Sequence, residues 1–244
     1  MATWLDAGKS LNAVLPSSGG TAAFSEFTAC NQRLGGGSYT YSNADEGTTG
    51  QTSMSVWDGT AASVNGTFIS MEKQLDLCKI RKMAESLGVN LAAPRNNICT
   101  AKENDMTDRL PNCAPSLTLG VEAISPMTMA GAYATFASGG KFCEPIAVTK
   151  ILRAGKEIKI PKANCHQAIK KAVADGVNLG LSRSLTTGTA SGVGVLENGR
   201  KAPARPEPPT TRWTPGSSVT PGSSRPRSGS ATRTFPRARL SGPR

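Results

Sequence analysis

One short serine motif in this chain has the spacing of a nucleophile and its base, and a second serine motif lies just before it. Ser70 and Lys73 form a Ser-x-x-Lys pattern, in which the lysine amine one helical turn later could take the hydroxyl proton and activate the serine as a nucleophile. Ser63 and Asn65 form a Ser-x-Asn pattern just before it. Taken alone, Ser63 and Asn65 are typical of a helix-capping turn, and Ser70 with Lys73 is typical of a helix surface. Motifs this short indicate a function only within a fitting structural context.

Six cysteines make disulfide bonds the expected use of the thiols. An even number of cysteines in one domain-sized chain favours an oxidising compartment. No metal site is expected, because the chain has no Cys-x-x-Cys and its only histidine, His166, has no second imidazole beside it. The sequence alone leaves every connectivity open. The preferred pairs are Cys143 with Cys165 across a hairpin, Cys99 with Cys113 across a polar loop, and Cys30 with Cys78.

Hydrophobic periodicity and turn residues predict a mostly helical chain with one hairpin. Helices are expected where apolar residues recur every three or four positions between capping and glycine signals. A hairpin is expected where two β-branched runs flank Ala-Gly. The predicted elements are the end of a helix in residues 1–8, helices over residues 68–87, 125–138 and 167–185, and a hairpin over residues 146–160.

The composition changes abruptly after about Ala202. Residues 203–244 hold nine prolines and eight arginines but no lysine and one acid, Glu207, which predicts a disordered tail without a packed core. The neighbouring reading frame of the same stretch could encode Gly-Lys-Thr-Gly-Thr-Thr-Asp, followed by strand-like alternation of apolar and polar residues. We therefore expect residues 203–244 to be out-of-frame translation that follows a partial domain over residues 1–202.

The ordered series of short motifs before that break resembles a known family. Residues 1–202 and the shifted frame resemble the transpeptidase domain of a class A (bifunctional) penicillin-binding protein of the cysteine-bearing actinobacterial type. The order of the motifs is more specific than any one of them. The matching residues are Ser63-Val64-Asn65, Leu119-Gly120, Ser125-Pro126, Ala132-Tyr133, Phe136-Ala137, Gly139-Gly140 and Gly188-Thr189.

The resemblance implies an α+β fold and a serine acyl-enzyme mechanism. The fold would be the helical part of a β-lactamase-like transpeptidase domain with a small β-hairpin and without most of its central antiparallel sheet. Family members need a nucleophilic serine with its lysine, a Ser-x-Asn element and a Lys-Thr-Gly strand in one cleft. By resemblance, Ser63 would relay a proton and Asn65 would hydrogen-bond the substrate amide.

Only the Ser-x-Asn element is expected in this chain. The family places its nucleophile many tens of residues before Ser-x-Asn, so Ser70 and Lys73 do not match it. Lys-Thr-Gly occurs only in the shifted frame. We therefore expect the family's reaction, D,D-transpeptidation of peptidoglycan stem peptides with β-lactams as mimics, to belong to the parent enzyme, and this chain to be inactive.

The remaining composition excludes some classes and leaves one rival. Of the formal charge of +11, most lies in residues 203–244, so a nucleic-acid partner is not expected. No cofactor, membrane-spanning segment or export signal is predicted, whereas the resemblance implies an extracytoplasmic location at the cell envelope. The rival hypothesis is a secreted, disulfide-clipped binding module without catalysis.

Overall fold

The computed structural model describes residues 1–44, 51–100, 102, 104–160 and 162–191. Six α-helices and twelve short strands lie in these ranges, which confirms the predicted α+β class. The helices are α1 Ala2–Asp6, α2 Val56–Ala61, α3 Asn65–Glu72, α4 Leu77–Ser86, α5 Pro126–Ala137 and α6 Lys171–Ser182. The strands are β1 Val14–Pro16, β2 Gly20–Ala23, β3 Thr28–Ala29, β4 Gln32–Arg33, β5 Ser38–Tyr41, β6 Ser53–Ser55, β7 Arg95–Asn96, β8 Met106–Thr107, β9 Lys141–Cys143, β10 Ile151–Arg153, β11 Lys156–Ile158 and β12 Cys165–Gln167.

The strands form only two-stranded antiparallel sheets in the described ranges. The pairs are β1 with β6, β2 with β5, β3 with β4, β7 with β8, β9 with β12, and β10 with β11. No larger sheet occurs among these residues, as the resemblance implied. Pairs of such short strands are marginal by themselves, so the helices must supply most of the packing.

Three hydrophobic clusters hold the helices together. One joins α5 and α6 to the segment after α4 through buried residues such as Leu87, Ala132 and Val173. A second packs Trp4 of α1 against Phe68 and Met71 of α3. The third cluster consists of Ala22, Phe27, Ile69 and Leu77. Residues of α3 therefore enter two clusters from opposite sides, which fixes the helix that begins at Asn65.

The predicted single helix over residues 68–87 is wrong, because the chain breaks it into α3 and α4. Asp76 is the N-cap of α4, and its carboxylate accepts the N–H of Cys78 at 2.8 Å. It also accepts the N–H groups of Cys30 at 2.9 Å and Asn31 at 2.7 Å. The apolar spacing continues through the intervening turn, so periodicity alone hides a break that a capping aspartate creates.

The other predicted elements are confirmed with shorter bounds. The side chain of Ser125 accepts the N–H of Thr128 at 3.1 Å and starts α5. The hairpin is confirmed as β10 and β11 around Ala154 and Gly155, but residues 146–150 lie outside it. The predicted third helix begins at Lys171, because residues 165–167 pair with β9 instead.

The three preferred disulfides are all present. The structure joins Cys30 to Cys78, Cys99 to Cys113 and Cys143 to Cys165. The last pair occupies opposite positions on β9 and β12, so it closes the excursion that carries β10 and β11. The predicted tail, residues 203–244, lies outside the described residues.

Candidate active-site segment

Ser63 lies in the tight turn that joins α2 to α3. Its φ is +54° and it is only 6% exposed. A non-glycine residue in the left-handed region is uncommon and persists only where its surroundings hold it. Here the N–H of Ser63 donates to the carbonyl of Thr60 at 3.2 Å, and that of Val64 donates to Gly59 at 2.8 Å. The turn is therefore locked by its own backbone.

Asn65 is the first residue of α3 and is partly exposed. Its side-chain Nδ2 donates to the carbonyl of Ser42 at 2.8 Å. The N-cap position belongs to Val64, which has no side-chain cap. Instead, Oδ1 of Asn43 accepts the N–H of Gly66 at 3.0 Å. The N-cap position is therefore occupied by neither Ser63 nor Asn65, and a neighbouring loop supplies a capping group for α3.

Two close backbone approaches hold the turn from either side. A Cβ on Gly66 would collide with the carbonyl of Ser17, and a Cβ on Gly188 would collide with the carbonyl of Ala61. The N–H of Thr189 also donates to that Ala61 carbonyl at 3.2 Å. The Gly-Thr pair of the resemblance thus packs against the end of α2, directly before Ser63.

Arg183 ties the segment after α6 to α2. Its Nη1 lies 2.6 Å from Oδ1 of Asp58, and its guanidinium lies over the Trp57 ring at 4.2 Å from the centroid. An ion pair together with a cation–π contact fixes the planar guanidinium better than either alone. Sequence reasoning missed this link because the two residues are far apart in the chain.

Glu72 at the end of α3 is a buried carboxyl group that the sequence did not single out. It is 1% exposed, and its Oε1 accepts the N–H of Thr118 at 3.2 Å. Its Oε2 has no hydrogen-bond partner among the described residues. Burial raises the pKa of Glu72 to about 8, against the weaker opposing effect of the Thr118 hydrogen bond. The carboxyl group is therefore mostly protonated at neutral pH.

The Ser70 and Lys73 side chains are engaged separately and do not form a nucleophile pair. The Ser70 hydroxyl donates to the carbonyl of Pro16 at 2.8 Å. The Lys73 amine lies 2.7 Å from Oε2 of Glu26, and this hydrogen bond lowers the pKa of Glu26. An amine held by a carboxylate as an ammonium ion is a poor base for a serine.

A second Ser-x-x-Lys pattern, at Ser138 and Lys141, was missed in the sequence. Ser138 follows α5, and its hydroxyl lies within hydrogen-bond distance of two carbonyls, those of Thr135 at 3.0 Å and Lys141 at 2.7 Å. It closes the glycine turn between α5 and β9. His166 is exposed, with its ring 5.7 Å from that of Phe142.

Across the described ranges, no group of three or more His, Cys, Asp or Glu side chains could hold a metal ion. None of the helices in those ranges is both long and apolar enough to span a bilayer.

Comparison with known proteins places these elements in a family. A family model described as "Penicillin binding protein transpeptidase domain" matches residues 20–201. Penicillin-binding protein 2D of Bacillus subtilis is 37% identical over 70 residues, which cover 29% of this chain and 10% of that protein.

Solved structures show the same fold at low identity. Penicillin-binding protein 1A of Haemophilus influenzae has a TM-score of 0.60 at 18% identity, and the match covers 79% of this chain and 30% of that protein. PonA1 of Mycobacterium tuberculosis in complex with penicillin V has a TM-score of 0.57 at 20% identity, and the match covers 82% of this chain and 47% of that protein. The chain spans less than half the length of each of these proteins. Because the family model matches far more than half of the chain, this protein belongs to the penicillin-binding protein transpeptidase domain family.

Proposed function

We propose that Ser63 and Asn65 are the Ser-x-Asn element of a D,D-transpeptidase site of the class A, bifunctional type. The parent reaction would be attack on a stem peptide ending in D-alanyl-D-alanine, release of the terminal D-alanine and transfer of the acyl group to a neighbouring stem amine. The observation that supports this most is the locked left-handed turn at Ser63 beside Gly188 and Thr189. Such strain is typical of functional sites.

The proposed roles follow from the chemistry of acyl transfer. Ser63 would pass a proton between the catalytic lysine and the leaving amine. Asn65 would hydrogen-bond an amide of the substrate or of a β-lactam. In the present structure the Nδ2 of Asn65 donates to Ser42, so binding would leave the side-chain oxygen available as an acceptor for a substrate N–H.

This chain by itself is proposed to lack acyl-transfer activity. Ser70 and Lys73 are held apart by Pro16 and Glu26, and the sequence contains no Lys-Thr-Gly. Members of a catalytic unit are needed together, so one element alone gives no turnover. The parent enzyme would act at the outer face of the plasma membrane, where disulfides persist.

A fluorescent penicillin tests the proposed inactivity. The purified chain, run on a denaturing gel after incubation, is expected to show no covalent label above a heat-denatured control. A labelled band that disappears in Ser70→Ala would overturn the proposal and restore Ser70 as the nucleophile. A band that survives in Ser70→Ala but not in Ser138→Ala would point to Ser138.

A titration with ampicillin tests the proposed contacts of Ser63 and Asn65 independently of covalent labelling. The side-chain amide of Asn65 is expected to shift saturably in ¹H–¹⁵N spectra. The expected dissociation constant is on the order of 1 mM, which corresponds to a binding free energy of about −4 kcal/mol. Ser63→Ala should weaken the binding, and Ser70→Ala is the matched control that should not. A saturable shift of equal affinity in wild type and Ser63→Ala would refute the proposal.

The rival binding-module hypothesis has one structural observation in its favour. All three disulfides form within the described chain, and such clips stabilise small secreted domains. If the chain is such a module, purified peptidoglycan should retain the wild type and the double variant Ser63→Ala/Asn65→Ala equally well. Loss of retention in the double variant would favour the transpeptidase-derived site instead.

A further inference from the structure

The β10–β11 hairpin extends from the body of the protein with apolar side chains in solvent. Every residue from 143 to 159 is exposed, and the flanking residues Phe142 and Ile160 are half-buried. The apolar residues of this excursion are 41–58% exposed: Ile146, Val148, Ile151, Leu152 and Ile158. Its base is fixed, because Cys143 and Cys165 join paired positions of β9 and β12. A rigid stem therefore presents an apolar hairpin that its own chain leaves uncovered in the described structure.

One face of the hairpin combines apolar and basic side chains. Ile151 lies opposite Ile158, and Arg153 lies opposite Lys156. Cross-strand partners and residues two apart share a face of a sheet, so these four side chains lie together. Ala154, with φ +49°, and the glycine after it, with φ +76°, form the two-residue turn. Positive φ at both positions gives the twist that suits a tight hairpin.

Both outer edges of this sheet carry backbone groups without a strand partner. In the described residues β10 pairs only with β11. An unpaired edge is a template for an additional strand. The edges are short and rich in basic residues, and such residues can also serve to discourage indiscriminate pairing. A partner strand must therefore carry charge opposite to that of these edges.

The charge of the excursion indicates the sign of that partner. Residues 144–162 contain five lysines and arginines against two glutamates. Lys150 and Glu157 pair at 3.5 Å, but both are well exposed, so this ion pair contributes little. The excess positive charge disfavours a second copy of the same hairpin and favours an acidic partner.

We propose that the β10–β11 hairpin is a docking site for an acidic, extended segment of a partner protein, which adds as a third strand and covers Ile151 and Ile158. A lipid surface fits less well, because residues 144–162 contain no Trp, Tyr or Phe, whereas membrane-surface segments are rich in them. The partner segment alternates acidic and branched apolar residues, so that its apolar side chains meet the isoleucine pair. This inference is independent of the role of Ser63 and Asn65.

The experiment uses the full chain and a fluorescently labelled peptide, Glu-Val-Glu-Ile-Asp-Val-Glu with blocked ends. Its control carries N-methyl groups on the central Ile and Asp, which remove the central N–H donor from each edge of the peptide strand and leave the charge unchanged. Fluorescence anisotropy is expected to show that N-methylation weakens binding about tenfold or more, since tenfold corresponds to about 1.4 kcal/mol. Arginines in residues 203–244 attract both peptides equally, so the comparison isolates strand addition.

Variants locate the binding to the hairpin. Ile151→Ser/Ile158→Ser and Arg153→Glu/Lys156→Glu should each reduce the preference for the unmethylated peptide to near unity. Leu179→Ser and Lys79→Glu/Lys82→Glu, at exposed positions of α6 and α4, are the matched controls and should leave it unchanged. Equal binding of the two peptides to the wild-type chain would overturn the proposal. So would hairpin-dependent binding to vesicles of phosphatidylglycerol without peptide binding, since it would identify a lipid surface.

Discussion

The buried Glu72 carboxyl group makes the stability of this protein fall as the pH rises. Its pKa is about 8 in the folded chain because of burial, against an ordinary value of 4.5 in the unfolded chain. Between these values the folded state holds a proton that the unfolded state has released. The contribution is therefore fully present below pH 4.5 and is lost as the pH rises through 8.

The expected size follows from the two pKa values. Each pH unit in this window costs about 1.4 kcal/mol of unfolding free energy. Between pH 4.5 and pH 7 the loss is roughly 3 kcal/mol, and it approaches about 5 kcal/mol above pH 8. Glu72→Gln keeps the shape of the protonated acid, and its amide oxygen can still accept the Thr118 N–H. The variant should therefore exceed the wild type in stability by roughly 3 kcal/mol at pH 7.

Urea unfolding followed by circular dichroism at pH 5, 6, 7 and 8 measures this difference. The wild type should lose stability steadily across the series, and Glu72→Gln should lose much less. Glu85→Gln is the matched control, because the Arg109 hydrogen bond lowers the pKa of Glu85 and its replacement should not stabilise the protein at pH 7. Parallel pH profiles for the wild type and Glu72→Gln would refute the reasoning, as would a ¹³C-detected titration of the Glu72 carboxyl near 4.5.

Three further predictions concern the scaffold. Asp76→Ala should cost about 2 kcal/mol at pH 7, since it removes an N-cap and the acceptor of two loop N–H groups. Burial raises the pKa of Asp76, but hydrogen bonds from four backbone N–H groups outweigh it and lower the pKa, so the part of the cost that depends on the ionised carboxylate should shrink as the pH falls below the ordinary aspartate pKa; a cost that stays the same throughout the acid range would contradict this. Gly66→Ala should destabilise the protein by more than about 2 kcal/mol, because the new methyl meets the Ser17 carbonyl, whereas Gly155→Ala at the open hairpin turn should cost less; equal melting temperatures of the two variants would count against that packing. The native chain should bind a hydrophobic dye at pH 7, because apolar side chains such as Leu152 and Ile158 of the β10–β11 hairpin are exposed; no increase in dye fluorescence over the dye alone would contradict this expectation.

Local chemistry made several elements predictable. Ser125 followed by proline marks the start of α5, and Ala154-Gly155 marks the hairpin turn, since caps and turns depend on adjacent residues. The preferred pairs Cys99 with Cys113 and Cys143 with Cys165 were confirmed, although the sequence alone left every connectivity open. These features depend on short stretches of chain, which is the scale that sequence patterns describe.

Features that depend on distant partners could not be predicted. The break between α3 and α4 depends on Asp76 receiving N–H groups from Cys30 and Asn31, far away in the sequence. The burial of Glu72 depends on the segment around Thr118. A charged residue at a helix surface and a buried, protonated one have the same letter in the sequence, and only packing distinguishes them.

The two serine motifs near α3 show how packing assigns chemistry to short patterns. Ser70 and Lys73 have the spacing of a nucleophile and its base, yet Pro16 and Glu26 occupy the two groups. Ser63 and Asn65 have the less specific spacing, yet Ser63 has a positive φ. The Ser42–Asn43 loop hydrogen-bonds to Asn65 and to the residue after it, and Thr189 donates to a carbonyl at the end of α2. Holding a residue in a costly conformation requires support from several segments. Ser70 has no such backbone conformation, because it lies within the regular helix α3, and this difference is the physical reason for proposing the catalytic role at the Ser63 turn.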